Sequence, residues 1–209
     1  MDDTLLFIPP CCVDVKLPQA VMQAPRRSLT FYTHSDVTME KFYRAVSCLV
    51  DNAHLMVLAI PYLGSDTVLF LQQCFERGWI SDLVLSTLGD YTDIIHRHLS
   101  QYADHLLYIS HRDATFCASH MVLYNDEKAL VLFGPMYDRI RDNALSAYSL
   151  MFFSNQQLFS NKHNWGNPIR NAVLPDVIRL RQMALRNGGQ LKSPVLDRFI
   201  HSEFPPYKN

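Results

Sequence analysis

The stretch SHMVLYNDEKALVLFGPMY, residues Ser119–Tyr137, decides the fold of this chain. It contains two short apolar segments, Met121–Tyr124 and Ala129–Phe133, which the polar residues Asn125–Lys128 separate. Valine, leucine, tyrosine and phenylalanine favour β-strands, whereas an Asn-Asp pair favours a turn. The stretch therefore predicts a β-hairpin with a histidine just before its first strand and a glycine just after its second.

The segments around this hairpin predict alternating strands and helices. Apolar residues recur at helical spacing over Met39–Asn52, and the continuous apolar run His54–Ile60 is typical of a strand covered on both faces. The further predicted elements are strands at Leu29–Thr33, Ile80–Ser86, Leu106–Ile109 and Ser149–Phe153, and helices that begin near Asp66 and Asp90. This order predicts an α/β fold whose mixed, largely parallel central sheet is flanked by helices.

The hairpin resembles the signature of the phospholipase D superfamily, H-x-K-x4-D-x6-G-S-x-N. His120 and Gly134 occupy the histidine and glycine positions of that motif. The other positions carry different residues: Val122 for lysine, Glu127 for aspartate, Pro135 for serine and Tyr137 for asparagine. The resemblance therefore implies a phospholipase D-like half-domain with a degenerate motif.

The flanking segments carry the same resemblance over roughly Leu29–Trp165. The order helix, strand, helix ending in Glu-Arg-Gly, then strand ending in Asp90 is similar to that of single-motif bacterial nucleases in the superfamily. Downstream, DNALSAYSLMFFSN resembles their next strand, with Tyr148 where a glutamate is expected. Such single-motif proteins dimerise so that two histidines share one site. The resemblance thus implies a homodimer, or a protein partner on the former active-site face formed by Phe133, Met136, Tyr137 and Tyr148.

The family's chemistry would require groups that this motif lacks. In the superfamily one histidine attacks phosphorus, a second protonates the leaving oxygen, and lysine and asparagine hold the charged phosphoryl oxygens. Here His120 stands at the nucleophile position and Glu127 at the orienting position, but Val122 cannot hydrogen-bond to phosphate. We therefore expect a catalytically inactive protein with a binding or assembly role, in which Tyr137 fills the old pocket.

Two alternatives remain open at the level of sequence. The first is a phosphodiesterase or nuclease that uses His120 with Arg139 as a replacement cation. The second is a non-cleaving nucleic-acid-binding protein that uses Arg179, Arg181 and Arg186, which fall in a predicted helix from about Pro175 to Arg186. No histidine has a partner at metal-ligand spacing, so we expect neither a metal nor another cofactor.

Composition indicates a globular protein that is soluble and cytoplasmic, without a membrane partner. The 209 residues are 48% hydrophobic and carry a net charge of −1, so no bulk field attracts nucleic acid or membrane. No secretory signal or spanning segment is evident. We divide the chain into an N-terminal arm or edge segment (1–28), the phospholipase D-like domain (29–165), and a C-terminal helix with an extended tail (166–209).

The cysteine count indicates a reducing compartment. The chain has five cysteines, an odd number, and none forms a C-x-x-C pair. The adjacent pair Cys11-Cys12 is interpreted as two ordinary thiols, with lipidation or redox chemistry as the alternatives.

Overall fold

The computed structural model describes residues 6–24, 28–34, 37–112, 119–125, 128–136 and 145–154 of the chain. Strands in these ranges are β1 (Leu6–Phe7), β2 (Ser28–His34), β3 (Ala53–Ile60), β4 (Ile80–Leu88), β5 (Leu106–His111), β6 (His120–Tyr124), β7 (Lys128–Phe133) and β8 (Leu145–Ser154). Helices are α1 (Val13–Gln23), α2 (Met39–Ser47), α3 (Ser65–Glu76) and α4 (Thr92–Leu99). The predicted hairpin and the strand–helix alternation before it are confirmed.

All these strands form one sheet with the order β1-β2-β8-β7-β6-β3-β4-β5. Three neighbouring pairs are parallel: β1 with β2, β3 with β4, and β4 with β5. The other four pairs are antiparallel. The prediction of a mixed sheet is confirmed, but the prediction that it is largely parallel is wrong. The short β6–β7 connection permits only antiparallel pairing, and β8 then inserts antiparallel between β7 and β2.

The described helices pack against one face of the sheet, which we call the helix face. Alternate residues of the central strands, such as Met56, Leu58 and Leu83, join one buried cluster with helix residues such as Phe42 and Leu71. Consecutive side chains of a strand point to opposite faces, so this alternation assigns each residue to a face. The cluster is the main core of the described part of the chain.

The opposite face of the sheet, the second face, is also buried in its centre. Val57, Val84, Val122 and Val131 lie in register there and are at most 2% exposed. They stand apart from the cluster on the helix face, and no described helix packs against them. Burial of β3 on both faces confirms the prediction made from its continuous apolar run.

The N-terminal region contains a helix that the sequence analysis did not predict. We predicted an arm or edge segment for residues 1–28; β1 is indeed an edge strand, but α1 follows it and buries Val13, Leu17 and Val21. Pro18 lies inside this helix and removes one backbone donor, a change that ordinarily costs about 3 kcal/mol. The prolines therefore masked an amphipathic helix whose stability comes from packing.

Helix ends largely follow the predicted signals. The Thr38 hydroxyl accepts a hydrogen bond from the Lys41 amide (3.3 Å) at the start of α2, and Gly78 adopts a left-handed conformation (φ 64°) after α3, where the Glu-Arg-Gly sequence predicted a helix end. Asp66 lies in the first turn of α3 instead of capping it, because Gly64 holds the cap position. None of the helices in the described part is long and apolar enough to span a membrane.

The division of the chain at residues 28 and 165 remains a prediction. The helices predicted around Gln156–Trp165 and Pro175–Arg186, with the tail that follows, lie outside the described residues.

Candidate functional site

His120 begins β6 and its side chain lies on the second face of the sheet. It is in register with Ala59 of β3 on one side and with Phe133 of β7 on the other. The imidazole is half-buried, and its centroid lies 5.9 Å from that of the Phe133 ring, with the planes tilted by 52°. Phe133 is 42% exposed, so this end of the sheet is accessible. The histidine of the motif therefore sits beside an aromatic ring at the rim.

Val122 lies on the same face as His120, one row deeper into the sheet. It is fully buried, in register with Val57 and Val131. Val57 in turn is in register with Val84, and Val84 with Leu107, so the row is aliphatic across five strands. A cation introduced at the lysine position of the motif would lie within this row and would lose its hydration. The row provides packing and no group that could bind phosphate.

Gly134 closes β7 and contacts the ring of Tyr148 on β8. Its φ is 149°, a conformation that side-chain-bearing residues rarely adopt. A Cβ at this position would overlap the Tyr148 ring. Glycine at the motif position thus has a structural reason in this chain, namely the close approach of an aromatic ring to the backbone.

Ser119 connects the start of β6 to the turn that follows β7. Its hydroxyl donates to the Gly134 carbonyl and accepts from the Met136 amide (3.1 Å), and its own carbonyl accepts from the Gly134 amide (3.2 Å). Sequence analysis did not assign a role to Ser119. Its position next to the motif histidine was visible, but the pairing depends on strand register that the sequence does not give.

Pro135 occupies the serine position of the motif and contributes only its carbonyl. That oxygen accepts a hydrogen bond from the Tyr148 hydroxyl at 3.1 Å. Proline has neither a side-chain hydroxyl nor a backbone N–H. Residue 135 therefore offers no donor to an anion beside His120.

Two residues of the predicted partner face are buried within the chain itself. Tyr148 is 2% exposed on the helix face, where it lies between Phe31 (centroids 5.5 Å apart) and Phe42 (4.6 Å). Met136 is 2% exposed and belongs to the same cluster. Assigning them to an exposed patch was wrong, because β8 turns its tyrosine toward the helices. Of that predicted face only Phe133 is described as exposed.

The remaining predicted site residues lie outside the described part of the chain. These are Glu127, Tyr137 and Arg139 of the motif region, and Arg179, Arg181 and Arg186 of the basic helix. The structure therefore brings together His120, Val122, Gly134 and Pro135. Within the described ranges, no group of three or more His, Cys, Asp or Glu side chains could hold a metal ion.

A second polar cluster, which sequence analysis missed, surrounds the Gly89 carbonyl at the carboxyl ends of β4 and β5. That oxygen accepts hydrogen bonds from Thr87 Oγ1 (3.1 Å), Ser110 Oγ (3.0 Å) and the Tyr108 hydroxyl (3.3 Å). The Tyr108 hydroxyl also accepts from the Tyr91 amide at 2.8 Å. Because these groups satisfy one another, the cluster fixes the β4–α4 turn.

Next to this cluster, Asp90 orients the start of α4. Its carboxylate accepts hydrogen bonds from the hydroxyl and the amide of Thr92, the latter at 2.9 Å. These bonds lower the pKa of Asp90. The prediction that a helix begins near Asp90 is confirmed, with α4 starting two residues later.

Comparison with known proteins gives structural likeness only. No protein-family model matches the chain, and no curated protein does so either. Among solved structures, the chain is similar to phosphatidylserine synthase from Haemophilus influenzae Rd KW20, with a TM-score of 0.48 and 13% identity over 74% of this chain and 38% of that one. It is also similar to polyphosphate kinase from Porphyromonas gingivalis, with a TM-score of 0.42 and 10% identity over 83% of this chain and 26% of that one.

Both of these structures have phospholipase D superfamily folds. The chain spans less than two fifths of the length of either. Because both TM-scores are below 0.5, no property of these two proteins is transferred to this chain.

Proposed function

We propose that this chain is a catalytically inactive, phospholipase D-like protein that serves a binding or assembly role. The observation that carries the proposal is the burial of Val122 between Val57 and Val131. At this position the motif needs a cation that reaches a phosphoryl group. The aliphatic row gives the position a packing role instead.

Phosphodiester cleavage passes through a charged transition state. Charge develops on the phosphoryl oxygens, and removing one donor to such a charge commonly costs about 2.7–4 kcal/mol. Val122 and Pro135 each supply no donor, and Tyr137 replaces the amide of the motif asparagine. Loss of three donors would reduce turnover by many orders of magnitude, even with His120 in place.

Turnover on simple and natural phosphodiesters tests this proposal. Purified protein is assayed on bis-p-nitrophenyl phosphate, single- and double-stranded DNA, and RNA, beside the His120→Ala variant. We expect both proteins to give the same background rate, because Val122 and Pro135 supply no donor to a phosphoryl group beside His120. Turnover by the natural protein that disappears in His120→Ala would overturn the proposal.

The same assays address the two alternatives. A phosphodiesterase with Arg139 as its cation would lose activity in both His120→Ala and Arg139→Ala. A nucleic-acid-binding protein would retain DNA or RNA on a filter at low salt and release it as salt rises, because phosphate contacts are displaced by counterions. Binding that is lost when Arg179, Arg181 and Arg186 are changed to Ala would favour that second alternative.

For the binding role, we propose a second copy of the chain as the partner, with another protein on the same face as the alternative. Phe133 supports this assignment, since it is an exposed aromatic ring beside His120. Light scattering during size-exclusion chromatography measures the mass, and a value near 24 kDa would reject the homodimer. Phe133→Arg should dissociate the dimer, whereas Leu69→Arg, at a similarly exposed position on α3, should not.

A further inference from the structure

Two adjacent thiols at the start of α1 have no role in the proposed function. Cys11 and Cys12 belong to the 3-10 turn Pro10–Cys12, which leads directly into the helix. Cys11 is exposed and Cys12 half-buried, and their Sγ atoms lie 3.7 Å apart. Consecutive residues of a helical turn do not face each other. A sulfur–sulfur distance this short therefore means that both side chains turn toward a common point.

The geometry of the pair fits chelation better than a disulfide. A disulfide requires sulfurs about 2.05 Å apart and Cα atoms usually about 4.4–6.8 Å apart, whereas adjacent Cα atoms are about 3.8 Å apart. By contrast, two sulfurs bonded at about 2.3 Å to one shared centre lie about 3.8 Å apart at a tetrahedral angle and about 3.3 Å apart at the nearly right angle of trivalent arsenic. The observed separation of 3.7 Å is close to this second arrangement, and a small rotation of the two side chains closes the remaining gap.

The number of sulfurs narrows the class of ligand. A structural zinc ion takes four protein ligands, whereas this pair of thiols supplies two. Thiolates are soft ligands that prefer soft centres. A trivalent arsenic atom with one organic substituent has two valences left, the number that Cys11 and Cys12 supply together.

We propose that Cys11 and Cys12 form a dithiol site that binds trivalent arsenicals, independently of the proposed function of the sheet. With an arylarsenic oxide, two As–S bonds form, the arsenic–oxygen bond breaks, and the two thiol protons leave with that oxygen as one water molecule. No electrons are transferred, and arsenic remains trivalent. The arsenic atom bridges the two sulfurs, so the backbone need not bring them to disulfide distance.

The surroundings of the pair are consistent with this reaction. The hydrogen bond with Cys11 and partial burial raise the pKa of Cys12, with a further contribution from Asp14 that Lys16 opposes. Cys12 therefore enters the reaction as a thiol, whose proton leaves with the water formed. The exposed Cys11 provides the point of first attack.

Intact-mass spectrometry of the reduced full chain with phenylarsine oxide tests the proposal. A two-sulfur adduct resists an excess of the monothiol glutathione, because both bonds must break together, but the dithiol dithiothreitol removes it. We expect one resistant adduct per chain in the natural protein and in Cys48→Ser, the control for a lone exposed thiol. Cys11→Ser and Cys12→Ser should each lose it completely.

Two outcomes would overturn this site. The first is a resistant adduct that persists in Cys11→Ser, since another cysteine pair would then hold the arsenic. The second is a natural protein whose adduct glutathione removes. Cys11 is exposed, so its replacement by serine leaves the fold intact and decides the question even if Cys12→Ser does not fold.

Discussion

Two rows of side chains on the second face of the sheet lie only two residues apart and differ in character. The row through His120 contains Ala59, Phe133 and Ser149, mixes polar and aromatic groups, and reaches the accessible rim. The row through Val122 is aliphatic and buried. The two rows show that two positions on one strand, separated by a single residue, can lie in different surroundings, one at an accessible rim and the other in a buried core. Whether a position can accommodate a charged side chain, more than its likeness to a motif, distinguishes a binding pocket from a packed core.

The largest expected effect comes from placing a charge in the aliphatic row. Val122→Lys should lower the free energy of unfolding by about 3–5 kcal/mol, because the ammonium is buried without a partner. Val122→Met adds comparable length without charge and should cost about 1–3 kcal/mol through overpacking. Urea unfolding of both variants at neutral pH measures the difference.

The pH dependence of Val122→Lys sharpens this test. Burial lowers the pKa of the introduced amine below its unfolded value, so the unfolded state binds more protons. The stability deficit should therefore shrink as pH rises toward the unfolded pKa of lysine, about 10.4. Equal stabilities of the lysine and methionine variants at neutral pH would mean that the row opens into a solvated pocket.

An intermediate effect is expected at Gly134, which follows Phe133 directly after the end of β7. Gly134→Ala should cost about 2–4 kcal/mol, because a positive φ and overlap with the Tyr148 ring act together. Gly78→Ala is the matched control: φ is also positive there, but no atom lies within 4 Å of the added Cβ. The control should cost about 1–2 kcal/mol, the ordinary penalty for a side-chain-bearing residue in the left-handed conformation. Equal losses of stability in Gly134→Ala and Gly78→Ala, measured by thermal unfolding, would refute the contact between Gly134 and the Tyr148 ring.

A smaller effect is expected from the hydrogen bond that holds the turn after β7. Tyr148→Phe removes the donor to the Pro135 carbonyl and should cost about 1 kcal/mol. Tyr43→Phe removes an equivalent bond to the Trp79 carbonyl (3.1 Å) and should cost a similar amount. Only Tyr148→Phe should speed amide hydrogen exchange of Met136, whose amide donates to Ser119 in the same turn. Unchanged hydrogen exchange of the Met136 amide in Tyr148→Phe would mean that the Tyr148 hydroxyl does not stabilise this turn.

The sequence predicted the helices and strands of this fold better than it predicted which strands pair and which surfaces pack together. The spacing of hydrophobic residues, together with helix-end and turn residues, predicted β3, α3 and the β6–β7 hairpin correctly. These signals are local, because each depends only on residues close together in the sequence. The prolines in residues 9–18 hid the 3-10 turn and α1, whose stability depends on tertiary packing. Tyr148 was assigned to the wrong surface, because its face follows from the antiparallel pairing of β8 with β2 and β7. At the site, the sequence shows that Val122 and Pro135 carry no side-chain donor, whereas the burial of Val122 could be known only from the strand register.

The most direct test of the account is whether a phosphoryl anion binds beside His120. The imidazole signals of His120, assigned by their loss in His120→Ala, are followed by NMR during titration with phosphate and then vanadate. The exposed His105, paired with Asp82 at 3.1 Å, reports general ionic effects. We expect the His120 signals to move no more than those of His105. A saturable shift confined to His120 would contradict it, because the site would then bind a phosphoryl anion.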